Sequence, residues 1–176
     1  RVLAVIPLDD IDPDRRALLT RVGNEYIAAQ LASAERPEVW TNLGNFYSAK
    51  KDWRKAIEVY RKAIETDPVF VPSYTNLADL YRILNDEASA EEVLREGLVW
   101  NEDDATIHHT LGLSLVRQER LDEALIVLKI AAERTTNNPR FIYVYAVALN
   151  SKGKTGDAIR ALTDAHDEFS NNQDIL

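Results

Sequence analysis

The 176-residue sequence contains no cysteine and no methionine, and it has only six glycines and six prolines. Without cysteine, disulfide bonds, thiolate metal sites, covalent haem attachment and cysteine nucleophiles are excluded within these residues. No apolar run approaches the ~20 residues of a membrane-spanning helix, so no membrane insertion is expected. Because residue 1 is not methionine, we expect a fragment or processed product, with residues 1–12 the end of a preceding segment or an extended lead.

The balance of charged and apolar residues is that of a folded chain. Charged residues make up 28 % and apolar residues 45 % of the sequence, which argues against disorder. The net charge is −8, and this acidity does not favour binding to nucleic-acid phosphates. We therefore expect no nucleic-acid partner. The composition leaves the compartment open between cytoplasm and periplasm.

A 34-residue repeat runs through most of the chain. When the sequence is shifted by 34 residues, Pro37, Val71, Ala105 and Pro139 become equivalent first positions. Small residues then recur at positions 8, 20 and 27, and large residues at positions 7, 11 and 24, with no gap in any repeat. Position 8, for example, is occupied in turn by Gly44, Ala78, Gly112 and Ala146.

The spacing within the repeat predicts two helices. Positions 4, 7, 8 and 11 follow the i, i+3, i+4, i+7 pattern of one helix face, and positions 20, 24 and 27 form a second face. Turn residues such as Lys50-Lys51-Asp52 separate them. Each repeat is therefore predicted to be an antiparallel pair, helix A then helix B. Since one pair cannot bury its apolar face alone, the pairs must stack.

The first repeat resembles the tetratricopeptide repeat family. The matching residues are Trp40, Leu43-Gly44, Tyr47, Ala56, Tyr60, Ala63 and Pro68. The resemblance implies an all-α fold, a right-handed superhelical solenoid, and a non-catalytic scaffold for protein–protein interaction. The implied repeat units span residues 37–70, 71–104, 105–138 and 139–172, followed by a tail at 173–176.

The two ends of the array are expected to differ. At the amino end, Pro13 should begin a capping helix within residues 13–36, running to about Glu35, with Asp12 as its N-cap. In the repeat frame Tyr26 and Ala29 take B-helix positions, so this helix should pack against the first repeat. At the carboxyl end no extra helix follows the last B helix, expected at 155–168. We therefore expect its apolar edge to be open to solvent, to a partner or to a second copy of the chain.

The resemblance also implies where a polypeptide partner would bind. A helices line the concave face in this family, and asparagine side chains there can pair with a peptide backbone through both donor and acceptor groups. We therefore expect a protein or peptide partner in this groove. The candidate residues are Thr41, Asn42, Asn45, Asn76, Asp79, Arg82, His109, Leu113, Arg117 and Tyr143.

Some family members clamp a partner's terminal carboxylate with two asparagines and several cationic side chains. Asn45 and Asn76 match the two asparagines. The positions of the cations are occupied by Thr41, Thr106 and Thr110, so the positive charges are missing. Binding of chaperone carboxyl-terminal tails is therefore not expected.

No constellation for catalysis, a metal or a cofactor is evident. His108 and His109 are adjacent, and neighbouring helical residues point about 100° apart, so they cannot chelate one ion together. His108 takes the core position that Trp40 fills in the first repeat. The sequence also lacks a Gly-rich phosphate loop and a Ser-His-Asp arrangement. We expect a protein that is not an enzyme and has no cofactor.

Two alternatives stay open. Ile126 and Ile130 stand where the other repeats have charged or polar residues, which indicates either cover by a neighbouring helix or a second interaction surface. Separately, residues 1–4 and 24–30 resemble the junction before the tetratricopeptide region of bacterial multi-haem cytochromes. That weaker resemblance implies an accessory or assembly domain of an exported redox protein, and a periplasmic location.

Overall fold

The computed structural model describes residues 12–135 and 138–170, with side chains up to residue 167. Residues 1–11 of the expected lead, residues 136–137 of the third repeat, and residues 171–176, which include the expected tail at 173–176, lie outside the described residues. Within those ranges, no helix has the length and hydropathy needed to cross a bilayer.

Helices form the whole of the described regular structure. The amino-terminal helix is α1 (Pro13–Leu31). The A helices are α2 (Pro37–Ala49), α4 (Val71–Ile83), α6 (Ala105–Arg117) and α8 (Pro139–Ser151). The B helices are α3 (Trp53–Thr66), α5 (Glu87–Trp100), α7 (Leu121–Arg134) and α9 (Thr155–Ser170). Each helix packs against the next one along the chain, so the prediction of an all-α helical-repeat solenoid is confirmed.

The helix ends follow from local side-chain chemistry. The Asp12 carboxylate accepts hydrogen bonds from the backbone N–H groups of Asp14 and Arg15, and Pro13 is the first helical residue, which confirms the predicted cap. Asp104 caps α6 in the same way, accepting from the Ile107 N–H at 2.8 Å. These carboxylates satisfy donors that a helix start leaves unpaired.

The turn between helices A and B repeats with the 34-residue period. In every repeat, position 15 has a positive φ: 60° at Lys51, 59° at Asn85, 62° at Glu119 and 80° at Gly153. Non-glycine residues rarely adopt this conformation, so three of the four turns accept a small local cost. This conformation makes the tight chain reversal that brings helix B back along helix A.

Small residues let the two helices of a repeat approach closely. A Cβ atom added at Gly44 would lie 2.3 Å from the Tyr60 ring, and one at Gly112 would lie 2.5 Å from Leu128. On the facing B helices, the position-20 alanines are buried, as at Ala56 and Ala90. The large side chains of position 24 therefore pack closely against the backbone of helix A, where position 8 has a glycine or an alanine.

A hydrogen bond from position 4 ties the first three A helices to the loops before them. Trp40 Nε1 donates to the Ala34 carbonyl at 2.7 Å, and Tyr74 Oη donates to the Pro68 carbonyl at 2.8 Å. His108 Nε2 lies 2.8 Å from the Glu102 carbonyl and makes the same contact. Because each acceptor is six residues earlier, three chemically different side chains serve one geometric role.

The array curves toward its A helices. Neighbouring A helices α2 and α4 meet through two short side chains, with Thr41 Oγ1 and Ser73 Oγ 3.2 Å apart. Neighbouring B helices α3 and α5 are instead bridged by the long side chains of Arg61 and Glu96. Since the A helices stand closer together than the B helices, the A-helix side is the inner side.

The amino-terminal helix packs against α2 but is shorter than expected. Gly23 is buried against the ring of Phe46, and the Tyr26 ring is tilted against the same ring, with the two ring centroids 5.2 Å apart. α1 ends at Leu31 rather than near Glu35. The residues after Leu31 form turns, since the chain must reverse there to bring the Ala34 carbonyl beneath Trp40.

Candidate functional site

The exposed side chains on the inner sides of α2, α4, α6 and α8 form a continuous surface, here called the groove surface. Its first half is rich in amide groups. Asn42 Nδ2 donates to Gln30 Oε1 of α1 at 3.5 Å, and Asn76 Nδ2 donates to Asn45 Oδ1 at 3.4 Å. The structure thus brings the exposed Asn45 side chain and the half-buried Asn76 side chain together across two repeats.

Tyr60 fixes the orientation of the Asn45 side chain. The buried Tyr60 hydroxyl donates to Asn45 Oδ1 at 2.6 Å. Burial, together with the negative charge of Asp79, raises the pKa of Tyr60 to about 12, so the phenol stays a donor. Asn45 Oδ1 therefore accepts two bonds, and no described residue accepts from Asn45 Nδ2. That amide group is available to donate to a ligand.

The middle of the groove surface carries paired charges. On α4, Arg82 Nε lies 3.1 Å from the Asp79 carboxylate. On α6, Arg117 donates from Nε and Nη2 to the two carboxylate oxygens of Glu87 on α5, and Ser114 Oγ donates to the same carboxylate at 2.6 Å. Burial raises the pKa of Glu87, but hydrogen bonds from Arg117 and Ser114 outweigh it and hold that pKa below its usual value. The Arg117 guanidinium is therefore fixed in position by its ion pair with Glu87.

The last half of the groove surface is more apolar. Leu113 is half-buried on α6, and Val116 is exposed one turn later. Tyr143 and Val147 continue the exposed apolar surface on α8. Because the first half carries amide groups and the last half carries apolar side chains, the two halves suit different groups of a ligand.

Two of the expected groove residues are packed inside the array instead. Thr41 and His109 both occupy position 5, and they are only 5 % and 7 % exposed. Thr41 meets Ser73 of the next A helix, and His109 stacks on Phe141 of the next A helix at 4.2 Å between ring centroids. Position 5 faces the following repeat because the A helices stand close together. A peptide in the groove would not touch these two side chains.

The last member of this column, in the fourth repeat, has a different environment. Tyr143 also occupies position 5, and it is 58 % exposed because no described helix follows α8 on that side. Its exposure therefore reflects its place in the last described helix pair as well as its place on the groove surface. Asn42, Asn45, Asn76, Asp79, Arg82, Leu113, Arg117 and Tyr143 are the predicted groove residues that keep a surface for a ligand.

Burial makes His109 a source of pH dependence. Burial, assisted by the positive charge of Arg140, lowers the pKa of His109 from 6.5 to about 4. Between these two values the unfolded chain binds a proton at this side chain and the folded chain does not. Stability is therefore full above about pH 6.5 and falls as the pH drops toward 4. Despite partial burial, hydrogen bonds and ion pairs hold the pKa values of Glu87 and Glu91 below their ordinary value of 4.5 in the folded chain, so their contribution to stability is present above that pH and is lost as the pH falls further.

We expect the free energy of unfolding in urea to fall by about 2 kcal/mol between pH 7 and pH 5, from the His109 titration. The variant His109→Phe, which keeps an aromatic ring against Phe141, should lose most of this component. Equal pH dependence in the variant and the parent chain would contradict the assignment to His109.

Three side chains that organise the groove surface were not among the expected site residues. Tyr60 holds Asn45, Glu87 holds Arg117, and Gln30 pairs with Asn42. A signal for Tyr60 was present, since it is the only polar side chain in a column that otherwise holds leucine. Gln30 and Glu87 carried no such signal, because their contacts join different helices.

The fold and its inner surface define the chain as a helical-repeat solenoid, a class that uses its extended surface for binding. Three tetratricopeptide repeat profiles match its sequence, over residues 37–70, 59–92 and 109–173. The chain belongs to the tetratricopeptide repeat family. Arrays of this family are typically non-catalytic scaffolds for protein–protein interaction.

Curated relatives are larger proteins. The BBSome complex member BBS4 homolog of Drosophila melanogaster is 26 % identical over 157 residues, which is 84 % of this chain and 32 % of that protein. The cell division cycle protein 27 homolog B of Arabidopsis thaliana is 28 % identical over 99 residues, which is 55 % of this chain and 13 % of that protein. The chain thus spans a third or less of the length of these relatives.

Solved structures show the same fold. The crystal structure of MamA superposes with a TM-score of 0.68 at 18 % identity, over 93 % of this chain and 98 % of MamA. YrrB, described as a TPR protein with an unusual peptide-binding site, gives a TM-score of 0.60 at 21 % identity, over 88 % and 80 % of the two chains. These likenesses concern the fold. The weaker resemblance to multi-haem cytochromes finds no support among these proteins and stays a prediction.

Proposed function

We propose that this chain is an interaction scaffold that binds an extended polypeptide segment along the groove surface. The observation that carries the proposal is the held amide pair of Asn45 and Asn76, with the Asn45 amide group left to donate. An extended peptide offers backbone carbonyl and N–H groups at regular intervals, and amide side chains match both. The proposed repeat units are residues 37–70, 71–104, 105–138 and 139–172.

The gradient along the groove surface supports a preferred composition for the bound segment. The amide half recognises backbone and so makes little demand on sequence. The half around Leu113, Val116 and Tyr143 favours apolar side chains, because contact with them removes exposed apolar surface from water. The peptide-binding site attributed to YrrB, which shares this fold, agrees with a peptide ligand.

Affinity capture with the immobilised chain tests the proposal. The double variant Asn45→Ala with Asn76→Ala should reduce capture of groove partners at least about tenfold, since each lost hydrogen bond costs roughly 1 kcal/mol or more. The matched control is Glu58→Ala with Glu92→Ala, which truncates two exposed side chains on consecutive B helices. Partners captured equally by both double variants would place the binding surface outside the groove.

A second variant separates binding from stability. Asn45→Ala also removes the acceptor of the buried Tyr60 hydroxyl, so it weakens the fold. Asn45→Asp keeps an oxygen for Tyr60 and Asn76 but replaces the amide donor. We expect Asn45→Asp to melt near the parent temperature and still to lose groove partners. Full capture by this variant would show that the Asn45 amide donor is not used.

A further inference from the structure

A polar cleft lies in the middle of the array, between the α5–α6 loop and the last turns of α7. Its volume is about 490 Å³. The array continues on both sides of this cleft, so the cleft does not arise from an end of the described chain. Six side chains line it: Glu102, Asp103, His108, Ile130, Glu133 and Arg134.

The repeat pattern explains why space is left here. At the preceding repeat junction, Tyr74 lies against the loop that contains Pro68, and its hydroxyl donates to the Pro68 carbonyl. In the third repeat, His108 and Glu102 take these two positions. His108 keeps the contact with the loop backbone, but the imidazole ring is smaller than a phenol, and the Glu102 side chain is exposed. A cleft with polar walls results.

The walls of the cleft are rich in negative charge and in hydrogen-bond acceptors. Three carboxylates line it against one guanidinium, and that guanidinium, of Arg134, already lies 2.8 Å from Asp103. Among the described residues, no cation pairs with the Glu102 carboxylate. His108 is 6 % exposed, and because its Nε2 faces a carbonyl, Nε2 carries the proton and Nδ1 is an acceptor. No described residue donates to that Nδ1.

Two helix ends add to the negative potential at this edge. α5 ends at Trp100 and α7 ends at Arg134, so the last carbonyl groups of two neighbouring B helices lie beside the cleft. A helix carboxyl terminus carries about half a negative charge and favours a nearby cation. The last turn of α5 contains no basic side chain of its own. The cleft therefore suits a positively charged group.

An exposed apolar patch adjoins the cleft. Val69, Val99 and Trp100 are 55 %, 77 % and 58 % exposed, and Trp100 is two residues before Glu102. One repeat earlier, these three occupy the same positions as three of the cleft residues. The exposed valine and tryptophan at positions 29 and 30 belong to the second repeat alone. The other repeats have charged or polar residues there: Glu65 and Thr66, Glu133 and Arg134, Asp167 and Glu168.

We propose that the cleft and the apolar patch, together called the loop-edge surface, bind a cationic side chain of a partner polypeptide with apolar neighbours. Arginine fits best, because its guanidinium can donate to the Glu102 and Glu133 carboxylates and its planar face can stack on the Trp100 indole. Apolar neighbours would remove the exposed valine side chains from water. A second copy of the chain is disfavoured, since each copy has a net charge of −8.

Titration of the whole chain with a short blocked peptide, one arginine between two leucines, tests this proposal. The control peptide has citrulline in place of arginine, which keeps the shape and removes the charge. Nuclear magnetic resonance should show shifts of the Trp100 indole N–H, assigned with Trp100→Phe, and of the backbone amides of residues 101–104. We expect saturable binding with a Kd on the order of 1 mM, and at least about tenfold weaker binding of the citrulline peptide.

Matched variants locate the site. Glu102→Gln with Glu133→Gln should weaken binding of the arginine peptide about tenfold, because two exposed ion pairs are lost. Trp100→Ala should weaken it about threefold or more. The control, Glu58→Gln with Glu65→Gln, removes the same charge from exposed positions of α3 and should change binding less than about twofold.

The loop-edge surface lies outside the groove surface, so the Glu102→Gln, Glu133→Gln double variant should still capture groove partners. Failure of the loop-edge proposal would leave the proposed function untouched. Equal binding of the two peptides, an equal loss in the α3 control, or resonance shifts confined to the groove surface would overturn it. Self-association that Trp100→Ala abolishes would assign the surface to a second copy and would also overturn it.

Discussion

Leu94→Ala is expected to lower the free energy of unfolding by about 3 kcal/mol, whereas Leu162→Ala should lower it by about 1 kcal/mol or less. Both leucines occupy position 24 of their repeats, so helix propensity and local sequence role are matched. Leu94 is fully buried, and its removal leaves a cavity that the packed neighbours cannot fill. Leu162 is 41 % exposed, so truncation removes fewer contacts and water replaces the missing atoms.

Urea unfolding followed by circular dichroism measures the difference. Stacked repeats contact only their neighbours, so the end repeat can unfold before the middle of the array. The comparison should therefore use the full transition together with a probe near α5. Equal losses for the two leucines would mean that Leu162 is covered in solution.

Gly44→Ala is expected to destabilise the chain by about 2 kcal/mol, although alanine is normally the better helix former. The added Cβ would lie 2.3 Å from the Tyr60 ring, which is buried and held by its bond to Asn45. Gly156→Ala is the matched control, because nothing lies within 4 Å of the added atom in α9. That change should stabilise the chain by about 0.5 to 1 kcal/mol.

The second repeat indicates which substitution should relieve the clash between Tyr60 and the Cβ that Gly44→Ala adds. There Ala78 faces a leucine, Leu94, at the position that Tyr60 occupies in the first repeat. Gly44→Ala should therefore cost much less in a Tyr60→Leu background than in the parent chain. A double-mutant cycle measured by thermal or urea unfolding gives this coupling, expected at about 1 to 2 kcal/mol. Additive effects would show that the clash with Tyr60 does not cause the loss.

Much of the fold was predictable from periodicity. The A helices begin at Pro37, Val71, Ala105 and Pro139, the residues that the 34-residue register makes equivalent. Helix caps at Asp12 and Asp104 were predictable as well, because capping depends on residues that are close in sequence. The end of α1 was placed too late, since its position depends on a bond between the Ala34 carbonyl and Trp40.

The candidate site was predictable only in part. Asn45 and Asn76 could be chosen from their repeat positions, and in the structure Asn76 Nδ2 lies 3.4 Å from Asn45 Oδ1. Thr41 and His109 shared a column with Tyr143, and nothing in the sequence showed that the first two would be buried by the next A helix. The distance between neighbouring A helices decides this, and that distance depends on side chains in separate repeats.

The 34-residue pattern is enough to establish a stacked array of helix pairs, because small and large residues recur with one period and no single pair can bury its own face. Which side chains of that array a ligand can reach depends on the tertiary structure. Reach depends on the neighbour that lies over each position, so His109 and Tyr143 have the same place in the register and opposite exposure.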